Sequence, residues 1–165
     1  MWLNGQQASG EQHICSVPAA PLVLIAEDEL PIADIVAFIV EEVNCTPLRA
    51  NNGREALALA RQHWPALVIT DLMMPHLDGA GLIAALRAEA DRRRQSPPPV
   101  ILLTAAGAVR AREAHPDALL LKPFDLNDLE ALLHRLLARG AAAPSSAEQP
   151  PLSAGMDLPR GDVRP

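Results

Sequence analysis

The sequence is poor in aromatic residues, in basic charge and in long apolar runs. It has two phenylalanines, two tryptophans and no tyrosine among 165 residues, so a platform that stacks nucleic-acid bases is not expected. The formal net charge is −6, which argues against a protein that grips nucleic acid through its phosphates. No apolar run reaches the roughly 18 residues that span a bilayer, and the N-terminus lacks the pattern of a secretory signal. We therefore expect a cytoplasmic protein with no nucleic-acid or membrane partner.

Cysteine and lysine are also scarce. Cys15 and Cys45 have neither the spacing of a metal site nor the number needed for a disulfide framework, so they are interpreted as reduced thiols. Thirteen of the fourteen basic residues are arginine, and Lys122 is the single lysine. A single lysine in a chain that otherwise uses arginine indicates chemistry that arginine cannot replace. Without other observations, however, chance is the simpler explanation for this one lysine.

The length and the composition indicate one folded domain with two tails. Residues 1–20 show no usable periodicity and are predicted to form a flexible tail. Residues 140–165 contain five prolines among many Ala, Gly and Ser residues, which predicts a second, disordered tail. Apolar residues at regular spacing lie between the two tails, and they place the folded domain at 21–139.

Short apolar runs alternate with segments of helical periodicity. Continuous apolar runs predict strands buried on both faces, at 22–26, 67–70, 100–103 and 118–121, with a weaker strand at 47–50. Apolar residues at helical spacing predict helices over 30–44, 54–63, 79–94 and 125–139. Such alternation forms right-handed βαβ units around a parallel sheet. The prediction is an α/β fold of five strands and four or five helices.

Polar residues follow the predicted strands at their carboxyl ends, where ligands bind in such sheets. Glu27 and Asp28 follow the first run, Asp71 the run at 67–70, Thr104 the run at 100–103, and Lys122 the last run. Carboxylates that converge at one edge raise one another's pKa, and a hard cation such as Mg²⁺ relieves this. Carboxylate, hydroxyl and ammonium groups together suit the formation of an acyl phosphate.

Four motifs carry a family resemblance: VLIAEDE at 23–29, ITDLMMPHLDG at 69–79, ILLTA at 101–105 and LLLKPF at 119–124. With them the chain resembles the receiver domain of two-component response regulators over about 21–139. The resemblance implies a flavodoxin-like, doubly wound (βα)5 fold with a five-stranded parallel sheet in the strand order 2-1-3-4-5.

The resemblance also implies a role for each site residue. Asp71 is the expected phosphoacceptor. Asp28, Asp71 and the backbone carbonyl of Met73 are expected to hold Mg²⁺, and Glu27, at a position where Asp is commoner, to assist directly or through water. Thr104 and Lys122 are expected to contact the phosphoryl group, with a cis peptide bond before Pro123.

The same resemblance implies partners. A sensor histidine kinase or a histidine phosphotransfer protein would donate the phosphoryl group, and the domain would catalyse its own phosphorylation and slow dephosphorylation without being an enzyme in the ordinary sense. The 26 residues of the second tail are too few for an effector domain. The expectation is therefore a stand-alone receiver that signals to an unknown protein or relays phosphate.

Two features depart from the family pattern. Leu119 stands three places before Lys122, where the family has an aromatic switch residue. Thr104 and Lys122 are 18 positions apart, which is shorter than usual by roughly one helical turn. With Gly107 and Pro116 between them, we predict a short or irregular fourth helix and an unusual output surface.

Three other interpretations stay open. A haloacid-dehalogenase-type phosphatase also uses a strand-end Asp, a Thr and a Lys, but it has a second Asp where this chain has Met73. A nucleotide-binding module is weaker still, because no glycine-rich loop follows the first strand. A degenerate receiver that acts as a phosphate-independent interaction module is compatible with Leu119 and with the shortened segment.

Overall fold

A computed structural model of the chain describes residues 19–105 and 108–141. The strands are β1 (Leu22–Ala26), β2 (Thr46–Ala50), β3 (Leu67–Asp71), β4 (Val100–Thr104) and β5 (Ala118–Leu121). The helices are α1 (Leu30–Glu42), α2 (Gly53–His63), α3 (Gly79–Arg93), α4 (Ala108–Glu113) and α5 (Leu126–Ala141). Most of both predicted tails lies outside the described residues, at 1–18 and 142–165.

The five strands form one parallel sheet in the order β2-β1-β3-β4-β5. This confirms the predicted fold class and strand order. The boundaries of the helices and strands agree with the predicted ones to within two residues. For example, α1 ends at Glu42 because Val43 caps it and Asn44 adopts a positive φ. In the part of the chain that the structure describes, no helix is both long and apolar enough to cross a membrane.

Two apolar layers cover the two faces of the sheet, as expected for strands that are buried on both sides. One layer joins the sheet to α1 and α5 through residues that include Val36, Val40, Leu129 and Leu133. The other joins it to α2 and α3 through residues that include Ala56, Ala60, Leu82 and Leu86. The central strands β3 and β4 are buried along their whole length, so they provide a rigid base for the residues at their ends.

The edge of the sheet at β5 is less well covered. Helix α4 has six residues, which agrees with the prediction of a short fourth helix, although residues 106 and 107 of that segment lie outside the described residues. Every residue of β5 is at least partly exposed, and Leu121 is more than half exposed. Arg87 of α3 donates hydrogen bonds to the carbonyl oxygens of Ala114 and His115, just after α4.

An acidic side chain ties α2 to α3. The Glu89 carboxylate accepts hydrogen bonds from Arg61 at 3.0 Å and from Arg93 at 3.1 Å, and Arg92 pairs with it at 2.8 Å. The Arg93 guanidinium also lies 4.6 Å from the centre of the Trp64 ring, a cation–π contact. Two of the arginines near the end of α3, Arg92 and Arg93, therefore pair with Glu89.

Replacing Glu89 by Gln should lower the free energy of unfolding at neutral pH. The hydrogen bond from Arg93 is the largest cause that lowers the pKa of Glu89 below its usual 4.5, so its stabilising contribution is present above that pH and is lost as the pH falls through the folded-state value. Urea unfolding at pH 7 and at acid pH measures the difference from the wild type. A difference in the free energy of unfolding that persists unchanged at acid pH would contradict this explanation. So would an equal difference for Glu113→Gln, a variant at an exposed position.

A glycine lets α3 begin against the end of β3. A Cβ at Gly79 would clash with the carbonyl oxygen of Asp71 and would lie 2.9 Å from Leu102 Cδ1. Gly79→Ala should therefore cost about 1–3 kcal/mol, as overpacking does. Gly140→Ala is the matched control, because a Cβ there meets nothing within 4 Å and alanine favours the helix by up to about 1 kcal/mol. Equal stability of the two variants in urea would refute the close contact.

Candidate functional site

The strand register brings the predicted polar residues to one edge of the sheet. Ala26 of β1 pairs with Thr70 of β3, and Asp71 pairs with Leu103 of β4. Thr104 pairs in turn with Leu121 of β5. Because all these strands run in the same direction, the residues that end or follow them lie side by side.

Three carboxylates form a cluster at this edge. One oxygen from each of Glu27, Asp28 and Asp71 lies within 4.8 Å of the other two. Glu27 is 1% exposed and Asp71 is 6% exposed, whereas Asp28 is exposed. The cluster is thus buried on one side and open to solvent on the other. A set of oxygen donors that solvent can reach on one side fits a hard divalent cation such as Mg²⁺, which keeps several of its waters.

Lys122 supplies the positive charge inside the cluster. Its Nζ lies 2.8 Å from Glu27 Oε2 and 3.1 Å from Asp71 Oδ1, and its side chain is 11% exposed. Burial by itself lowers the pKa of Lys122, but the hydrogen bonds to Glu27 and Asp71 outweigh it and raise that pKa above the ordinary value. Burial has the opposite effect on Glu27, because it raises the pKa of that carboxyl group, and the Lys122 ammonium offsets part of this rise. The lysine is therefore held in its charged form between two carboxylates.

Hydrogen bonds from its own segment orient Asp71. Its Oδ2 accepts a hydrogen bond from the backbone N–H of Met73 at 3.0 Å, and its carbonyl oxygen accepts one from the Thr70 hydroxyl at 3.0 Å. The side chain of Met73 is 65% exposed. The backbone N–H of Met73 therefore binds Oδ2. Oδ1, the other oxygen of the carboxylate, faces Lys122.

Thr104 and Lys122 are joined through their backbones. The Lys122 N–H donates to the Thr104 carbonyl oxygen at 2.8 Å, and Thr104 is fully buried at the end of β4. The peptide bond between Lys122 and Pro123 is cis, as the resemblance implied. The bond between Glu27 and Lys122 was not predicted, and its one signal in the sequence is the longer Glu side chain at a position where Asp is commoner.

Comparison with known proteins decides the family. The family model of the response regulator receiver domain matches residues 23–134. The chain belongs to this family. As a receiver domain of two-component signalling, it is a signalling domain rather than a conventional enzyme, which decides against the phosphatase and the nucleotide-binding module.

Individual relatives agree with this assignment. The receiver is 37% identical over 121 residues to the probable transcriptional regulator ycf27 of Porphyra purpurea, an alignment that covers 71% of this chain and 47% of the relative. It is 36% identical over 132 residues to response regulator Rre1 of Synechocystis, covering 77% of this chain and 56% of that protein. The chain thus spans about half the length of the curated relatives that it matches.

Solved structures give the same result for the fold. The receiver resembles the signal receiver domain of a signal transduction histidine kinase from Syntrophus aciditrophicus, with a TM-score of 0.68 and 33% identity, covering 79% of this chain and 98% of that one. It also resembles the receiver domain of the Francisella response regulator 1452, with a TM-score of 0.61 and 29% identity, covering 72% of this chain and 98% of that one.

Lys122→Met should destabilise the receiver in the absence of divalent cations by about 1–3 kcal/mol, because Glu27 and Asp71 lose a charged hydrogen-bond donor. The pKa of Lys122 is raised in the folded state, so the loss relative to wild type should be full below pH 10.5, the ordinary lysine value, and should shrink as the pH rises through the folded-state value. Urea unfolding at a series of pH values measures it. Arg139→Met, which removes one exposed positive charge, is the control, and equal effects of the two variants would contradict this account.

Proposed function

We propose that this receiver accepts a phosphoryl group on Asp71 from a sensor histidine kinase or a histidine phosphotransfer protein. One observation carries the proposal: the Asp71 carboxylate lies 3.1 Å from the Lys122 ammonium and within 4.8 Å of two further carboxylates. A carboxylate in this setting has a cation to balance charge on an incoming phosphoryl group. We assign the domain to residues 21–139, a little beyond the span of the family match.

The transfer is a displacement at phosphorus. An oxygen of Asp71 forms the new bond to phosphorus while the bond from phosphorus to the donor's histidine nitrogen breaks, and that nitrogen keeps the electron pair. Lys122 and the hydroxyl of Thr104 contact the oxygens of the phosphoryl group and oppose the charge that develops on them. Slow attack of water on the acyl phosphate releases inorganic phosphate and restores Asp71.

We also propose that the carboxylates bind a Mg²⁺ ion beside Asp71. Asp28, Asp71 and the backbone carbonyl of Met73 would hold Mg²⁺, and Glu27 assists directly or through water. Lys122 alone does not balance three carboxylates, and uncompensated carboxylates disfavour their own charged forms. When bound, Mg²⁺ supplies positive charge beside the oxygens of the transferring group.

For the output we propose protein contacts or phosphate relay in the cytoplasm. Leu119 packs against the layer on the α2 and α3 side of the sheet, and as an aliphatic residue it offers no hydroxyl to expose or bury. With α4 only six residues long, the surface formed by α4 and β5 is small. These features favour a relay or a phosphate sink over a strong conformational switch. They also support the second candidate, a phosphate-independent interaction module.

Acetyl phosphate with Mg²⁺ distinguishes these functions. We expect the wild-type protein to gain a single phosphoryl group that is stable to acid and labile to hydroxylamine, and we expect a chelator to prevent it. Asp71→Asn should gain none, because the amide is not a nucleophile, and Asp125→Asn, which changes an acid outside the site, should behave as wild type. Intact-protein mass spectrometry measures the product. No phosphorylation of folded wild-type protein would contradict the proposal and favour the interaction module.

A further inference from the structure

Helix α4 has few buried side chains among those that the structure describes. Of residues 109–113, only Ala111 is buried, whereas Val109 is 74% exposed. Ala114, just after the helix, is partly buried in the same apolar layer as Ala111. A helix of six residues is too short to be stable in water by itself, and two alanines bury little apolar area. Polar contacts must therefore help to hold α4 in place.

Helix α3 and its N-cap residue provide a polar contact at each end of α4. Near the beginning of α4, Arg110 Nη2 lies 2.6 Å from Oδ2 of Asp78, the N-cap of α3. Past the end of α4, the Arg87 guanidinium donates hydrogen bonds to the carbonyl oxygens of Ala114 and His115, as basic side chains do at the C-termini of helices. These contacts fasten α4 to α3 at both ends.

Asp78 belongs to the segment that follows Asp71. Its other carboxylate oxygen, Oδ1, caps α3 by accepting a hydrogen bond from the Gly81 N–H at 2.8 Å. Gly79 comes next in the chain. Its N–H donates to the Leu72 carbonyl oxygen at 3.0 Å, and there is no space for a Cβ between Gly79 and the Asp71 carbonyl oxygen. The Asp78 carboxylate therefore joins α4 to the start of α3, and close packing joins the start of α3 to Asp71.

We propose that the Arg110–Asp78 ion pair couples the position of α4 to the segment that carries Asp71, so that α4 responds to phosphorylation through the start of α3. This inference rests on the proposed function of Asp71. The Asp71 carboxylate accepts the Met73 N–H at the start of the same segment. Phosphorylation removes the negative charge of that carboxylate, and an uncharged acceptor forms a weaker hydrogen bond. The segment therefore readjusts, and Asp78 at its other end transmits the shift to Arg110.

Amide hydrogen exchange measured by NMR tests the ion pair in the unphosphorylated protein. The reporters are the N–H groups of Ala114 and His115, which bond to carbonyl oxygens of α4. Arg110→Met and Asp78→Ser each remove one charge, and serine is also a good N-cap residue. We expect both variants to exchange faster at the reporters by about two- to fivefold, the range for an exposed ion pair. Arg112→Met, at an exposed arginine of the same helix, should exchange as the wild type does.

Two further measurements show whether the effect comes from the pair itself. The double variant Arg110→Met, Asp78→Ser should exchange no faster than the faster single variant, because the second substitution has no interaction left to remove. Raising NaCl to about 1 M, where the Debye length is about 3 Å, should accelerate exchange in the wild type relative to the double variant. Single effects that multiply in the double variant, or a wild type that responds to salt as the double variant does, would contradict this role of the pair.

Exchange in the presence of acetyl phosphate and Mg²⁺ tests the coupling to phosphorylation. Mass spectrometry measures the phosphorylated fraction, and amide spectra show whether each variant is folded. We expect exchange at the reporters to change by about twofold or more in wild type and in Arg112→Met. The change should be less than half as large in Arg110→Met and in Asp78→Ser.

The two proposals fail in different ways. An equal change in all these proteins, or none in phosphorylated wild type, would overturn the coupling and leave the proposed function intact. Wild-type protein that takes no phosphoryl group would overturn the proposed function and the coupling with it. The exchange rates of the unphosphorylated variants would still decide whether the ion pair holds α4.

Discussion

The site depends on one ammonium group held between two buried carboxylates. Lys122 contacts Glu27 and Asp71, which approach each other only because β1 and β3 are hydrogen-bonded neighbours. Without a cation, carboxylates this close and this deeply buried would disfavour one another's charged forms. The ammonium lies on the buried side of the cluster, and Asp28 lies on the side that is open to solvent.

The fold provides the rigidity that this pairing requires. β3 and β4 are buried along their length between two apolar layers, so the residues at their ends have little freedom to move apart. The close approach of Gly79 to the Asp71 carbonyl and the bond from the Met73 N–H fix the segment that follows β3. The edge of the sheet at β5 is less well covered, because α4 is short and β5 is partly exposed. We therefore expect the surface formed by α4 and β5 to change conformation more easily than the site.

Much of this could be predicted from the sequence because it follows from patterning. Apolar runs such as the one at 67–70 indicate buried parallel strands, and their polar ends locate Asp71, Thr104 and Lys122. The strand order came from the family resemblance rather than from periodicity. The short α4 could be anticipated because the segment before Lys122 has few apolar residues and contains Gly107 and Pro116.

Contacts between side chains that are distant in the sequence could not be predicted in this way. The bond from Lys122 to Glu27 joins residues 95 positions apart, and the cluster of Glu89 with Arg61 depends on how α2 and α3 pack. Periodicity predicts that a residue lies on a given face or at a strand end, but it does not predict which acceptor a long side chain will bind. The bond between Glu27 and Lys122 is therefore a finding of the structure.

The central claim is that this edge of the sheet makes Asp71 the acceptor of a phosphoryl group. Its most direct test is to phosphorylate the full chain from a phosphohistidine donor, trap the acyl phosphate by borohydride reduction and locate the modified residue by peptide mass spectrometry. Reduction is expected at Asp71 and at no other acid of the cluster. Modification at Glu27 or Asp28, or none in protein shown to be folded and supplied with Mg²⁺, would contradict it.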